Sequence, residues 1–336
     1  MTLPTAPLDH GPWIDIHAHP GACFLRGIPP EHAGHIQFGG DRSVKAINRM
    51  RDGEVTVASF ATVSDAHVIG LTPDGRLGAL RDFEPGEALA SHERQVRAIA
   101  GLTRSTAYEA VLEPDDVQRL YLHGEMGIWL TCEGGDFVET TVERVEQSYS
   151  MGVRSITLVH YRLNSLGDIQ TEDEHHGGLT AVGRDVVNEM NRLGMVVDLA
   201  HATMRTTADA AEQSTRPIMV SHSHLASPGA DHPRLLTVEH AKLVAATGGV
   251  VGAWPAGIVC KSLDDYATEV CRLVDAIGID HVAVGTDLDA NFMPVLTEYV
   301  QFHELAALLN GRGMTTQEID AVLGGNFLRM WRTVAG

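Results

Sequence analysis

Imidazoles and carboxylates stand at the ends of short apolar runs throughout this 336-residue chain. "WIDIHAH" ends on His17 and His19, "GIWLTCEGG" carries Glu133, and "GVRSITLVH" delivers His160. "MVVDLAH" ends on His201, "PIMVSHSH" carries His222, and "HVAVGTD" ends on Asp287. His17 and His19 are two residues apart, so on an extended strand their side chains share a face and can grip one ion. Imidazole and carboxylate are ligands for divalent metals, and a carboxylate can give one oxygen to each of two ions. Glu133 is the central carboxylate available for that. The candidate ligands His17, His19, Glu133, His201 and His222 exceed the three protein ligands of a typical catalytic zinc site, so two ions are expected. Imidazole-rich ligation without thiolate favours zinc, although cobalt, iron or manganese would suit the same set. His224, two residues after His222, is an alternative ligand from the same run.

The runs themselves read as strands at 12–17, 54–61, 127–132, 154–160, 195–200, 217–222, 249–254 and 281–286. They are rich in Val, Ile, Leu or Thr and mostly bounded by Gly, Pro or Asp. Helical patterns lie between them. In "TAVGRDVVNEMNRLG", Val182, Val186, Met190 and Leu193 fall on one face, with Thr180 as N-cap and Gly194 as the stop. "TVEHAKLVAATGG" and "SLDDYATEVCRLVDAIG" repeat the design, and "TTQEIDAVLGG" opens on a Thr-x-x-Glu capping pattern. Strands apolar on both faces and alternating with helices imply a parallel sheet under helices, here a (β/α)8 barrel. A doubly wound sheet is the structural alternative, but no Gly-rich phosphate loop follows any strand. One domain over 1–336 is expected, with loop excursions at 70–85 and 161–179. In such a barrel all C-terminal strand tips meet at one rim. A single histidine at a strand end is more often a capping or surface residue. Its recurrence at tip after tip is what carries the metal reading.

Composition narrows the class. Hydrophobic residues make up 44% and charged residues 21%, the mix of a globular chain with a sizeable core. A formal charge of −19 disfavours nucleic acid or an anionic membrane surface as partner. Cys23, Cys132, Cys260 and Cys271 show no CxxC spacing, which fits a reducing compartment. The N-terminus lacks the basic start and apolar stretch of a signal peptide, and no run reaches the ~18–20 residues of a membrane span. A cytoplasmic enzyme is expected, with a homo-oligomer left open. Of the 18 histidines, His175 and His176 in "TEDEHHGG" read as a solvated acidic loop, and His123, His232 and His240 receive no function.

The sequence resembles the membrane (renal) dipeptidases, peptidase family M19, which are similar to the amidohydrolase barrels. The resemblance is densest in "EGGD" (133–136), "GVRSITLVH" (152–160) and "GLTAVGRDVVNEMNRLGMVVDLAH" (178–201). It continues through "SHSH" and "HPR" (221–234), "GGVVG" (248–252), "GTDLD" (285–289) and "GGNFLRMW" (324–331). It implies that His17 and the residue two on hold a first metal, that Glu133 bridges, and that His201 and His222, in preference to His224, hold a second. It further implies Asp287 as proton shuttle, His160 facing the scissile carbonyl oxygen, and Arg234 receiving the substrate's terminal carboxylate. The family usually has His-x-Asp at the first strand, where this chain has His17-Ala-His19, making the site one unit less negative. The strand-8 motif "GTDLDA" also departs from the family's Phe and Gly. The implied activity is hydrolysis of dipeptides, including those with a C-terminal D-residue, by a hydroxide shared between two metals. The alternatives are an amidohydrolase acting on a cyclic amide, lactone or N-acyl amino acid, and a barrel that has lost catalysis and binds a small ligand.

Overall fold

The computed structural model describes residues 10–227 and 232–336; the N-terminal segment, where no signal peptide is expected, lies largely outside them. Eight strands form the barrel: β1 (Trp13–Asp15), β2 (Val55–Val63), β3 (Met126–Glu133), β4 (Ser155–Thr157), β5 (Val196–Asp198), β6 (Ile218–Ser223), β7 (Val250–Ala253) and β8 (Val282–Val284). They are neighbours in that order and every pairing is parallel. Each of the eight runs expected from sequence overlaps one of these strands, and every residue of the strands themselves is buried, as strands covered on both faces must be. A further strand, Tyr108–Ala110, extends the sheet beside the start of β3.

Helices cover the outside and are started by their own caps. Thr180 accepts from Gly183 N at the head of helix Ala181–Leu193, and Gly194, in the left-handed region at φ 70°, ends it. Thr203, Thr237 and Ser262 cap the next helices in the same way, and Thr315 with Glu318 forms a capping box. The barrel interior at the strand starts is filled by Ile14, Val57, Trp129, Val196, Met219 and Val250. Phe327 and Trp331 of the last helix, Asn326–Ala335, pack against them. That end of the barrel is therefore solid, and polar residues gather at the other. Within 70–85 a small hairpin pairs Ile69–Leu71 with Leu77–Ala79. The 161–179 segment folds back on the barrel through Asp168, whose carboxylate accepts from the backbone of His175, His176 and Gly178.

The ring closes where β8 meets β1. Ile16 N donates to Val284 O, Asp287 N to His17 O, and His19 N to Leu288 O, at 2.8–3.0 Å. Buried Asp15 seals the seam: its carboxylate accepts from Thr286 N (2.9 Å), the Thr286 hydroxyl and the Tyr299 hydroxyl (3.0 Å). Burial nonetheless dominates and pushes its pKa up to about 6. Asp15→Ala strands these three donors in a dry interior, and each unsatisfied group costs about 1–3 kcal/mol. The variant is expected to unfold at clearly lower urea concentration; an unchanged midpoint would show that the seam does not depend on this carboxylate.

Candidate metal centre

Glu133 closes β3 in register with Val63 of β2 and Thr157 of β4, and it is only 3% exposed. Five imidazole nitrogens converge on it. His17, His201 and His222 bring Nε2 to 3.4, 3.0 and 3.6 Å from Oε1. His19 and His160 bring Nε2 to 3.3 and 3.4 Å from Oε2. Asp287 joins through Oδ1, 3.4 Å from His19 Nε2. All of these residues lie at or just past strand tips at one rim. His201 (φ 67°) and Asp287 (φ 54°) hold the left-handed backbone conformation that L-residues rarely adopt, so local strain is concentrated here.

The proton positions show what the cluster suits. His19 Nδ1 lies 3.1 Å from the Ala61 carbonyl, an acceptor, so Nδ1 carries the hydrogen and a neutral ring turns a bare Nε2 towards two carboxylates. The Nε2 atoms of His17 and His19 are buried without any hydrogen-bond partner. Lone pairs facing carboxylate oxygens call for a positive charge between them, which a divalent cation supplies. Protonation is the alternative. Burial opposes it at His19, but the Asp287 and Glu133 carboxylates facing Nε2 outweigh burial and push the pKa up to about 10. Burial likewise opposes the charge on His160, yet Asp65 and Glu133 push it up to about 9. Glu133 is held well below the usual carboxylate range because His160 and His17 overcome its burial. His201 and His222 are driven well down by burial, reinforced by Arg234 and by His17 respectively. The donor atoms fall into three overlapping triads with no separation above 4.8 Å: His17–Glu133–His222, His17–His19–Asp287 and Glu133–His160–His201. These triads put His222 with His17 and His201 with His160, although the Nε2 atoms of His201 and His222 themselves lie 3.2 Å apart.

Arg234 borders this cluster and is 1% exposed. Its Nη1 donates to Gln170 Oε1 at 2.7 Å and its Nη2 to His222 Nε2 at 3.0 Å, while the guanidinium lies 5.5 Å from the Trp254 ring. Its Nε has no partner, and among the described residues no carboxylate comes within ion-pairing distance. A buried guanidinium without a counter-ion carries a desolvation penalty that an anionic ligand would relieve.

A sequence profile of the membrane dipeptidase family, peptidase family M19, matches residues 8–336. The chain belongs to this family. It is accordingly a metal-dependent peptide-bond hydrolase. Among relatives, dipeptidase verJ of Clonostachys rogersoniana is 27% identical over 96% of this chain and 84% of its own length. Matches to four further curated dipeptidases span only about half of their length, 53–56%. A metallopeptidase from Rhodobacter sphaeroides, solved with a phosphinate mimic of L-Ala-D-Ala, superposes with a TM-score of 0.81 at 19% identity, covering 97% of this chain and 100% of that one. An amidohydrolase from Pseudomonas aeruginosa gives 0.74 at 22%, covering 97% of each. At that identity the two structures bear on the fold alone. Among the described residues no helix is long and apolar enough to cross a membrane.

Several residues of this M19 chain escaped sequence reasoning. Asp65 accepts from His160 Nδ1, Trp254 Nε1 donates to Asp287 Oδ2 at 3.3 Å, and Gln170 holds Arg234. Strand β2 runs to Val63, two residues beyond the expected end, and that extension puts Asp65 near the rim. His224 is in none of the metal triads; it lies past the end of β6, with Nε2 3.9 Å from Cys260 Sγ. His175 and His176 are exposed and border a groove of about 470 Å³ with Phe83 and Arg162.

Other histidines serve as packed neutral groups. His92 stacks on Phe137 and meets Ser148 Oγ at 3.0 Å, and His240 meets Thr207 Oγ1 at 2.8 Å. Burial pushes their pKa values down to about 3 and about 4. Each binds its proton more weakly folded than unfolded, so stability present above pH ~6.5 drains away as pH falls towards those values. The slope reaches at most about 1.4 kcal/mol per pH unit per histidine. Urea titrations of His240→Gln are expected to show a shallower acid decline than the parent; an identical slope would refute the assignment.

Proposed function

We propose that the chain is a one-domain cytoplasmic dipeptidase using two divalent ions, zinc in the native state. Its substrates are short peptides with a free C-terminal carboxylate, of either hand at the second residue. The observation that carries this reading is the buried, carboxylate-free guanidinium of Arg234, 3.0 Å from an imidazole of the Glu133 cluster. The donor chemistry supports the ions: His17 and His19 would hold one, His201 and His222 the other, and Glu133 would give an oxygen to each. Imidazole with carboxylate and no thiolate suits zinc. Two such ions supply Lewis acidity that polarises the scissile carbonyl and acidifies a water to serve as nucleophile near neutral pH.

The chain's own groups do the rest. Arg234 offers a planar fork to the substrate carboxylate, a geometry that lysine would match poorly. Because that fork sits against His222, the carboxylate it holds belongs to the residue that follows the cut bond, which limits the substrate to a dipeptide. His160 would donate from Nε2 to the carbonyl oxygen as negative charge develops there. Asp287, oriented by Trp254, takes the water's proton on a carboxylate oxygen and returns it to the leaving amine. The solved relative bound to a mimic of L-Ala-D-Ala supports the tolerance of a D-residue.

A library of L,L- and L,D-dipeptides, N-acyl amino acids and lactones tests the reading. Dipeptides are expected to be cut, EDTA to abolish turnover, and added zinc to restore it. Turnover confined to lactones or N-acyl amino acids would contradict the assignment. Arg234→Met should raise KM for dipeptides about 10–100-fold with a smaller change in kcat, the loss of a hydrogen-bonded charge being worth roughly 1.5–3 kcal/mol. An unchanged KM would remove Arg234 from the carboxylate site.

A further inference from the structure

The tip of β2 carries none of the imidazoles around Glu133, yet Asp65 lies two residues beyond it and is completely buried. Its Oδ1 accepts from His160 Nδ1 at 2.6 Å. Its Oδ2 accepts from the backbone N–H groups of Tyr161 (3.2 Å) and Arg162 (3.1 Å). An ionised carboxylate only accepts, so Nδ1 of His160 must carry a hydrogen, and the ring is held with Nε2 3.4 Å from Glu133 Oε2. The support is itself fixed: Ser64 N donates to Glu133 O at 2.8 Å, and Ser64 Oγ donates to Asp136 Oδ2 at 2.6 Å. The Ser64–Asp65 pair therefore ties the tips of β2, β3 and β4 together.

We propose that Asp65 is a positioning residue for hydrolysis: it sets the orientation of the His160 ring and keeps a proton on Nδ1, so that Nε2 alone faces the substrate. This rests on the reading of His160 as the donor to the carbonyl oxygen. The two backbone bonds would suffice to anchor the loop after β4. The third bond, the shortest of the set, goes to the imidazole, and it distinguishes positioning from anchoring.

Asp65→Asn separates the two. The Asn carbonyl can keep both backbone bonds, and its NH2 then faces Nδ1, which must be bare to accept. Partners of this kind typically cost 10–100-fold when removed, so in the zinc-loaded enzyme D65N should lower kcat by about that factor and leave KM within about twofold. In a His160→Ala background the same change should cost less than about twofold, because the residue through which it acts is gone. Two-bond proton–nitrogen spectra should show hydrogen on Nδ1 of His160 in the parent enzyme and a bare Nδ1 in D65N. Full additivity of the two substitutions, or a bare Nδ1 in the parent, would overturn the proposal. If D65N does not fold, the spectrum of the parent still decides. If the dipeptidase reading itself fails, no variant cuts peptide while the spectrum still locates the proton, so the two failures are distinct.

Discussion

A buried carboxylate facing five buried imidazoles is the constraint from which the rest of this structure follows. Glu133 is only 3% exposed, and His160 and His17 hold its carboxyl well below the usual carboxylate range against that burial. Everything around it serves that arrangement. The strand order brings seven side chains from six chain segments to one rim, the β8–β1 seam sets His17 and His19 beside Asp287, and left-handed backbone at His201 and Asp287 turns those side chains inward. The other end of the barrel is packed with Trp129, Phe327 and Trp331 and carries the stability that a strained, charged rim spends.

The histidine at position 19 shows how the site tolerates a change of ligand type. Where the family usually places a carboxylate, His19 keeps a donor atom 3.3 Å from Glu133 Oε2 because the Ala61 carbonyl holds the far side of the ring. Negative charge is not lost from the neighbourhood, since Asp287 stands 3.4 Å from the same nitrogen. The imidazole and the carboxylate together would offer the donor atom and the negative charge that a single acidic ligand supplies. The arrangement remains self-consistent although the first-strand motif differs.

Much of this was legible in the sequence because the barrel uses the same device eight times. Most strands are runs rich in apolar residues that end near an imidazole or carboxylate, and at a parallel rim those ends meet. His17, His19, Glu133, His160, His201, His222 and Asp287 were visible for that reason. Asp65 was not, because β2 outruns its obvious apolar stretch through Thr62 and Val63. Trp254 was hidden as one more apolar residue at a strand end, and Gln170 in a loop whose path depends on Asp168 binding three backbone amides. Nor could spacing reveal which imidazoles stand nearest each other. That grouping is decided by backbone conformation after the strand tips, where periodicity no longer speaks.

On the proposed reading the Glu133 carboxylate lies between two cations. Anomalous diffraction at the zinc edge from zinc-loaded crystals tests it most directly. Two peaks are predicted, one on each side of Glu133, with His17 and His19 about one and His201 and His222 about the other. A single peak, or zinc bound away from Glu133, would contradict it.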